Sequence, residues 1–239
     1  MKIPGPNSFN TLSALAILAT TTSLTAETTL FEDDFSGGSG TPLADTTPDT
    51  TRKNQSWRGS NQWVLDGESG VTIADRAFST VYLAFTPQPG HVYRLEVSGI
   101  DFAEGDRGNG FALGFIGADG ATIDANGAPA NWFTSQGAAP WVNVRPPLSG
   151  DNARLSSADN QFARGVSSPS TPASITLELD TTGTDWVARA YADGSASPFD
   201  SVTYEGPVAD IDGCGIAING SVANTSDLTL DQITLTRSR

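Results

Sequence analysis

Hydrophobic and polar positions alternate most cleanly over residues 173–194, ASITLELDTTGTDWVARAYADG. Ile175, Leu177 and Leu179 alternate with Thr176, Glu178 and Asp180, the period of two expected of a strand with one buried face. Thr181 to Thr184 contains Gly183 and breaks the pattern before alternation resumes at Trp186, so the stretch predicts a β-hairpin. Setting Asp180 opposite Asp185 places Leu179 against Trp186, Leu177 against Ala188 and Ile175 against Ala190. Opposed residues share a face, so all six lie on the core side. Small Ala188, Ala190 and Ala192 on that side leave room for large side chains from a second sheet. The hairpin therefore predicts a sandwich.

The other periodic stretches are short and extended. Residues 30–35 (LFEDDF) predict a first strand, followed by a Gly-, Thr-, Pro- and Asp-rich loop over 36–54. Residues 62–65 and 71–73 predict two short strands around the turn Asp66-Gly67-Glu68-Ser69-Gly70, and 79–86 and 92–100 a pair separated by Pro87-Gln88-Pro89-Gly90. Residues 111–116 (FALGFI) are apolar on both faces, which predicts a central strand. Residues 117–172 are the least regular; strands are expected there at 141–145 and 161–164. Strands at 201–204, 215–219 and 227–237 follow. Leu228 and Leu230 have one parity and Ile233 and Leu235 the other, which predicts a β-bulge at Asp231-Gln232.

Composition supports an all-β chain, with 25 Gly, 14 Pro and no long stretch of helical period. The net charge of −14 disfavours nucleic acid or an anionic membrane surface as partner. Lys2, the short apolar run at 12–18 and a small residue at Ala26 have the layout of a signal peptide over 1–26, leaving 27–239 as a single domain. The apolar run is shorter than the ~20 residues of a membrane span. A secreted or cell-surface location is expected. The one cysteine, Cys214, excludes an internal disulfide and a cysteine zinc cluster, and its apolar surroundings predict a buried thiol. The one histidine, His91, excludes any site with two His ligands.

The aromatic–Asp–aromatic opening (Phe31 to Phe35), the Trp-led hairpin ending in Asp-Gly (Trp186 to Gly194) and the closing LDQITLT (Leu230 to Thr236) resemble the concanavalin A-like, laminin-G-like jelly rolls. GFALGFI and PWVNVR add a likeness to versions in exported bacterial proteins with a C-terminal PEP-type sorting signal, although the chain ends in Arg237-Ser238-Arg239 without such a tail. The resemblance implies a two-sheet antiparallel jelly-roll β-sandwich with its first and last strands adjacent. It also implies carbohydrate binding, in some members a structural calcium ion, and in others glycosidase or polysaccharide-lyase activity.

Sugar binding needs flat apolar faces and polar groups for hydroxyls. Trp57, Trp132, Trp141, Asn143 and Arg145 supply both, with Arg58 and Asn131 near them, whereas Trp63 and Trp186 sit within strands and are expected in the core. Pairing of the terminal strands would bring Asp33 and Asp34 beside Asp231 as calcium ligands. Glu178 and Asp180 are the carboxylates at i, i+2 on a defined strand face, as a retaining glycosidase needs two close carboxyls. Family hydrolases carry a third acid where this chain has Thr182, and Arg189 offers Glu178 an ion-pair partner. A lyase would draw on Tyr82, Tyr191 or His91. These features together predict an exported module that is not an enzyme and binds a polysaccharide or matrix glycan. A structural or adhesive module and a glycosidase or lyase are the alternatives.

Overall fold

The computed structural model describes residues 26–52, 54–74, 79–102, 110–117, 140–146, 153–156, 171–208, 211–218 and 228–239. The predicted strand at 161–164, and Trp132 and Asn131, lie outside them. In chain order the strands are β1 (Thr28–Asp33), β2 (Thr50–Thr51), β3 (Arg58–Gly59), β4 (Trp63–Leu65), β5 (Val71–Ile73), β6 (Ser79–Ala84), β7 (Val92–Ser98) and β8 (Phe111–Gly117). They continue with β9 (Trp141–Val144), β10 (Ala153–Leu155), β11 (Ser174–Asp180), β12 (Trp186–Ala192), β13 (Asp200–Tyr204), β14 (Ile211–Ile218), β15 (Thr229–Leu230) and β16 (Gln232–Ser238).

Two antiparallel sheets carry the architecture. One runs β13-β12-β11-β7-β16-β1-β2 and the other β10-β9-β8-β14-β6-β3, with a small β15-β5-β4 sheet beside them. The alternation read from the sequence decides which side chains meet between them. Leu95, Val97, Ile175, Leu177, Leu179, Ile233 and Leu235 of the seven-stranded sheet join one core with Leu83, Leu113, Phe115, Val142, Val144 and Ile216 of the other. Trp63 and Trp186 are core residues, and the first and last strands pair, Asp33 opposite Ile233. β8 is buried at each residue from Phe111 to Ile116 and lies between β9 and β14. That is why its sequence shows no polar face.

Two expectations about register are corrected. In the β11–β12 hairpin Leu179 faces Ala188, Leu177 faces Ala190 and Ile175 faces Ala192, two residues away from the expected pairing. The shift is even, so every side chain keeps its face. The connection is longer because Thr181 is bound elsewhere: its hydroxyl donates to the carbonyls of Gln88 and His91, 2.8 Å each, and its N–H to His91, 2.8 Å. The parity change near Asp231 is a change of sheet. Leu230 pairs with β5, whereas Ile233 pairs with Val97 of β7. Gly99 sits at φ +67° against this crossing, and a Cβ there would lie 2.1 Å from Asp231 Cγ. Register shifts are found instead in β1, between Thr29 and Phe31, and in β14, between Ile211 and Gly213.

Candidate functional site

Three groups of polar side chains stand out, on three different surfaces. The first is on the outer face of the seven-stranded sheet. Glu178 lies opposite Arg189 on β12 and opposite Arg94 on β7, so strand pairing places a cation on each side of it. Glu178 Oε1 accepts from Arg189 at 2.7 Å and Oε2 from Arg94 at 3.0 Å, with the Tyr191 hydroxyl 3.4 Å from Oε1. Asp180 accepts from the same Arg189 at 3.2 Å and from Thr182 N–H and hydroxyl. Burial alone would raise the Asp180 pKa, but the bonds from Thr182 and Arg189 outweigh it and hold the carboxyl below its ordinary range. Burial and the Glu178 charge push the Tyr191 hydroxyl up. Both carboxylates are thus engaged by guanidinium, an arrangement suited to holding three strands together.

The second group gathers at the end of β1. Asp33 is buried; Oδ2 accepts from Trp57 Nε1 at 2.5 Å and Oδ1 from Phe35 N–H at 2.9 Å. Trp57 is itself core, with Phe31 edge-on at 6.1 Å, so its indole braces Asp33. Burial pushes the Asp33 carboxyl up to about 6, the two hydrogen bonds oppose this, and the charges of Asp49 and Asp34 add to it. Asp34 is held low by hydrogen bonds from Ser36, and its N–H donates to Asp49 Oδ2 at 2.9 Å. Carboxylate oxygens of Asp33, Asp34 and Asp49 lie within 4.8 Å of one another, which is compatible with a structural calcium ion. Asp231 is corrected as a member of this group. It is exposed at the sheet crossing, its carboxylate against Gly99 and its N–H on Ser98. Asp49 was not legible because the two-residue strand β2, which brings it to Asp33, carries no period.

The third group is the outer face of the six-stranded sheet. Val142 and Val144 point into the core, so Trp141, Asn143 and Arg145 alternate onto the other side. Pairing extends this face in two rows: Tyr82, Gly215, Gly114 and Trp141 across one, and Thr80, Ala217, Ala112, Asn143 and Arg154 across the other. The middle of each row is Gly or Ala, and the flanks are aromatic, amide and cationic. Trp141 and Asn143 are buried here, at 2% and 6% exposure, and Trp57 is buried in the core, so none of them is an open ring platform on the surface. Burial lowers the Arg145 pKa, and the nearby Arg154 charge lowers it further. Asn143 Oδ1 is buried without a hydrogen-bond partner among the described residues. A buried amide oxygen in that condition is costly, and a ligand hydroxyl would satisfy it. No carboxylate occurs in the sequences of β8, β9 or β10.

No family model matches the chain, and no curated protein matches it. Solved structures do. The endo-1,3-β-glucanase from Streptomyces sioyaensis matches with a TM-score of 0.50 at 14% identity, over 89% of this chain and 96% of that one. A β-1,3-glucanase from Mycobacterium marinum matches at 0.43 and 12%, over 87% and 98%. The exoplasmic/lumenal domain of VIP36 in its Ca²⁺/Man2-bound form matches at 0.47 and 7%, over 82% and 86%. The fold is a concanavalin A-like jelly roll. The expectation of a chain that is not an enzyme is corrected by the Streptomyces structure, which shares the fold and is named an endo-1,3-β-glucanase. Among the described residues, no helix is long and apolar enough to cross a membrane.

Proposed function

We propose that the chain is a carbohydrate-active protein that takes a polysaccharide against the outer face of its six-stranded sheet. A β-1,3-linked glucan is the first substrate class to offer, since that is what the Streptomyces structure is named for. The observation that carries the proposal is the unpartnered Asn143 Oδ1 beside Trp141, Arg145 and Arg154 on a floor of Gly and Ala. Small floor residues leave room for a sugar ring, and the amide and guanidinium groups bordering them read its hydroxyls. The Glu178–Asp180 pair belongs to the opposite side of the sandwich and takes no part.

The test is affinity electrophoresis through gels containing laminarin-type glucan, with reducing ends measured in parallel. Retardation is expected for the parent chain. Asn143→Ala is expected to lose it while melting within a few degrees of the parent, because the substitution breaks no hydrogen bond among the described residues. Retardation unaffected by Asn143→Ala would remove this face from the site. We further propose that the protein works outside the cytoplasm, on the layout of residues 1–26. An exported product beginning at Glu27 is the expected result of N-terminal sequencing.

A further inference from the structure

The mouth of the sandwich beside β1, β2 and β6 opens into a cleft of about 410 Å³. Its lining breaks the pattern that built the core. On β16, Ile233 and Leu235 are buried on the inward face, and the next residue of that parity, opposite buried Tyr93, is Arg237. Arg52 reaches the same cleft from the end of β2, where its N–H bonds to Leu30. Neither guanidinium makes an ion pair among the described residues, although both stand in a chain of net charge −14. Arg52 is exposed, Arg237 is half-buried and Asp212 is the one carboxylate in the lining, so the cleft carries a net positive charge that an anionic group on a ligand would compensate.

The rest of the lining narrows the class. Phe85 is half-buried and fixed by edge contact with Tyr93 at 5.1 Å and by Phe115 at 5.7 Å, so it presents a rigid ring. Leu30, at the β1 bulge, is half-buried beside it, as bulged residues are commonly re-aimed. Gln55, Gln88 and Asp212 complete a rim rich in groups that bond hydroxyls. A long alkyl carboxylate would leave that rim unused. A ring bearing both hydroxyls and a carboxylate uses all of it, and the volume is within the ~300–1,000 Å³ of small-molecule sites.

We propose that this cleft binds a carboxylate-bearing sugar, a hexuronic acid unit of an acidic polysaccharide. Arg52 and Arg237 hold the carboxylate, and Phe85 and Leu30 support the ring. The cleft lies between the sheets, apart from the outer face of the six-stranded sheet, and the proposal does not rest on the glycan reading of that face. The test is titration of the full chain with sodium glucuronate, glucose and benzoate, followed by amide chemical shifts. Glucuronate is expected to bind saturably in the millimolar range and glucose at least about tenfold more weakly, the worth of one charge-assisted hydrogen bond. Arg237→Gln and Arg52→Gln should each weaken glucuronate by a similar factor; Arg52 is exposed, so that variant keeps its fold. Absence of saturable glucuronate binding would overturn the site. Binding unchanged in both variants would overturn the role of the arginines, and benzoate binding in place of glucuronate would overturn the sugar assignment.

Discussion

Asp33 holds two strand ends together at an electrostatic cost. Its carboxylate takes the N–H of Phe35, which lies at φ +55°, and the indole N–H of Trp57, both from the core. The same burial, with Asp49 and Asp34 beside it, lifts its pKa from the ordinary 3.8 to about 6. A carboxyl whose folded pKa is raised stabilises the fold fully below the unfolded value and loses that contribution as pH climbs through the folded one. Between about 3.8 and about 6, therefore, this residue should cost the fold about 2–3 kcal/mol as pH rises. Asp33→Asn cannot titrate, so parent and variant should diverge in denaturant midpoint across that window, the parent falling relative to the variant. Parallel curves would show that Asp33 is ionised throughout. Millimolar calcium near pH 7.5 offers a second probe. A raised parent midpoint would mean that an ion, bound only by the folded state, offsets the crowded charges, and an unchanged one would leave the cluster as a hydrogen-bonded brace. None of this was legible beyond Asp33 and Asp34 themselves, because Asp49 and Trp57 reach them through loops whose residues carry no alternation.

Strand β11 shows which parts of an element its own sequence can reveal. Its inward row of Ile175, Leu177 and Leu179 was legible from period alone, and so were the small partners on β12, since parity survives a register shift of two. The outward row was half legible. Arg189 is close in sequence to Glu178, but Arg94 is 84 positions away and arrives only because β7 pairs on the other edge. That second arginine makes Glu178, itself buried, the shared partner of two guanidiniums that both reach solvent. Glu178→Gln should therefore cost a modest amount of stability, about 1 kcal/mol by denaturation, because both guanidiniums reach solvent and keep Glu27 and Asp180 as partners. Retardation in glucan gels should be unchanged. Lost turnover with an unaltered melt would instead return Glu178 to catalysis. Gly99, at the end of β7, tests the neighbouring crossing. Gly99→Ala places a Cβ 2.1 Å from Asp231 Cγ at a φ of +67°, and a loss of about 1–3 kcal/mol is expected in the same assay. A neutral result would mean that Asp231 swings freely into solvent.

At the scale of the molecule, the jelly roll was legible because it is a consequence of many short alternating strands with no helical stretch, and the apolar FALGFI run marked the centre of a sheet. The sites were less legible, since each is assembled by pairing between strands far apart in the chain. The pairing of β1 in the seven-stranded sheet is the extreme case: it sits between β2 and β16, so the first and last of the described strands must meet. Phe31 faces Leu235 across that join and packs on Trp57 at 6.1 Å, and Asp33 closes the bracket to Trp57. Contacts of such long sequence separation form late and carry a large loop-closure cost, which the rest of the sheet must first offset. A chain beginning at Phe35 lacks β1 and would leave β16 as an unpaired edge with Leu235 partly uncovered. It should show no cooperative thermal transition by near-ultraviolet circular dichroism. Adding a peptide of residues 26–35 should restore the transition in a concentration-dependent way, as binding to the folded state requires. A cooperative melt of the truncated chain within a few degrees of the parent would show instead that the sandwich is complete without its first strand, and that β1 serves mainly to wall the cleft at Arg237.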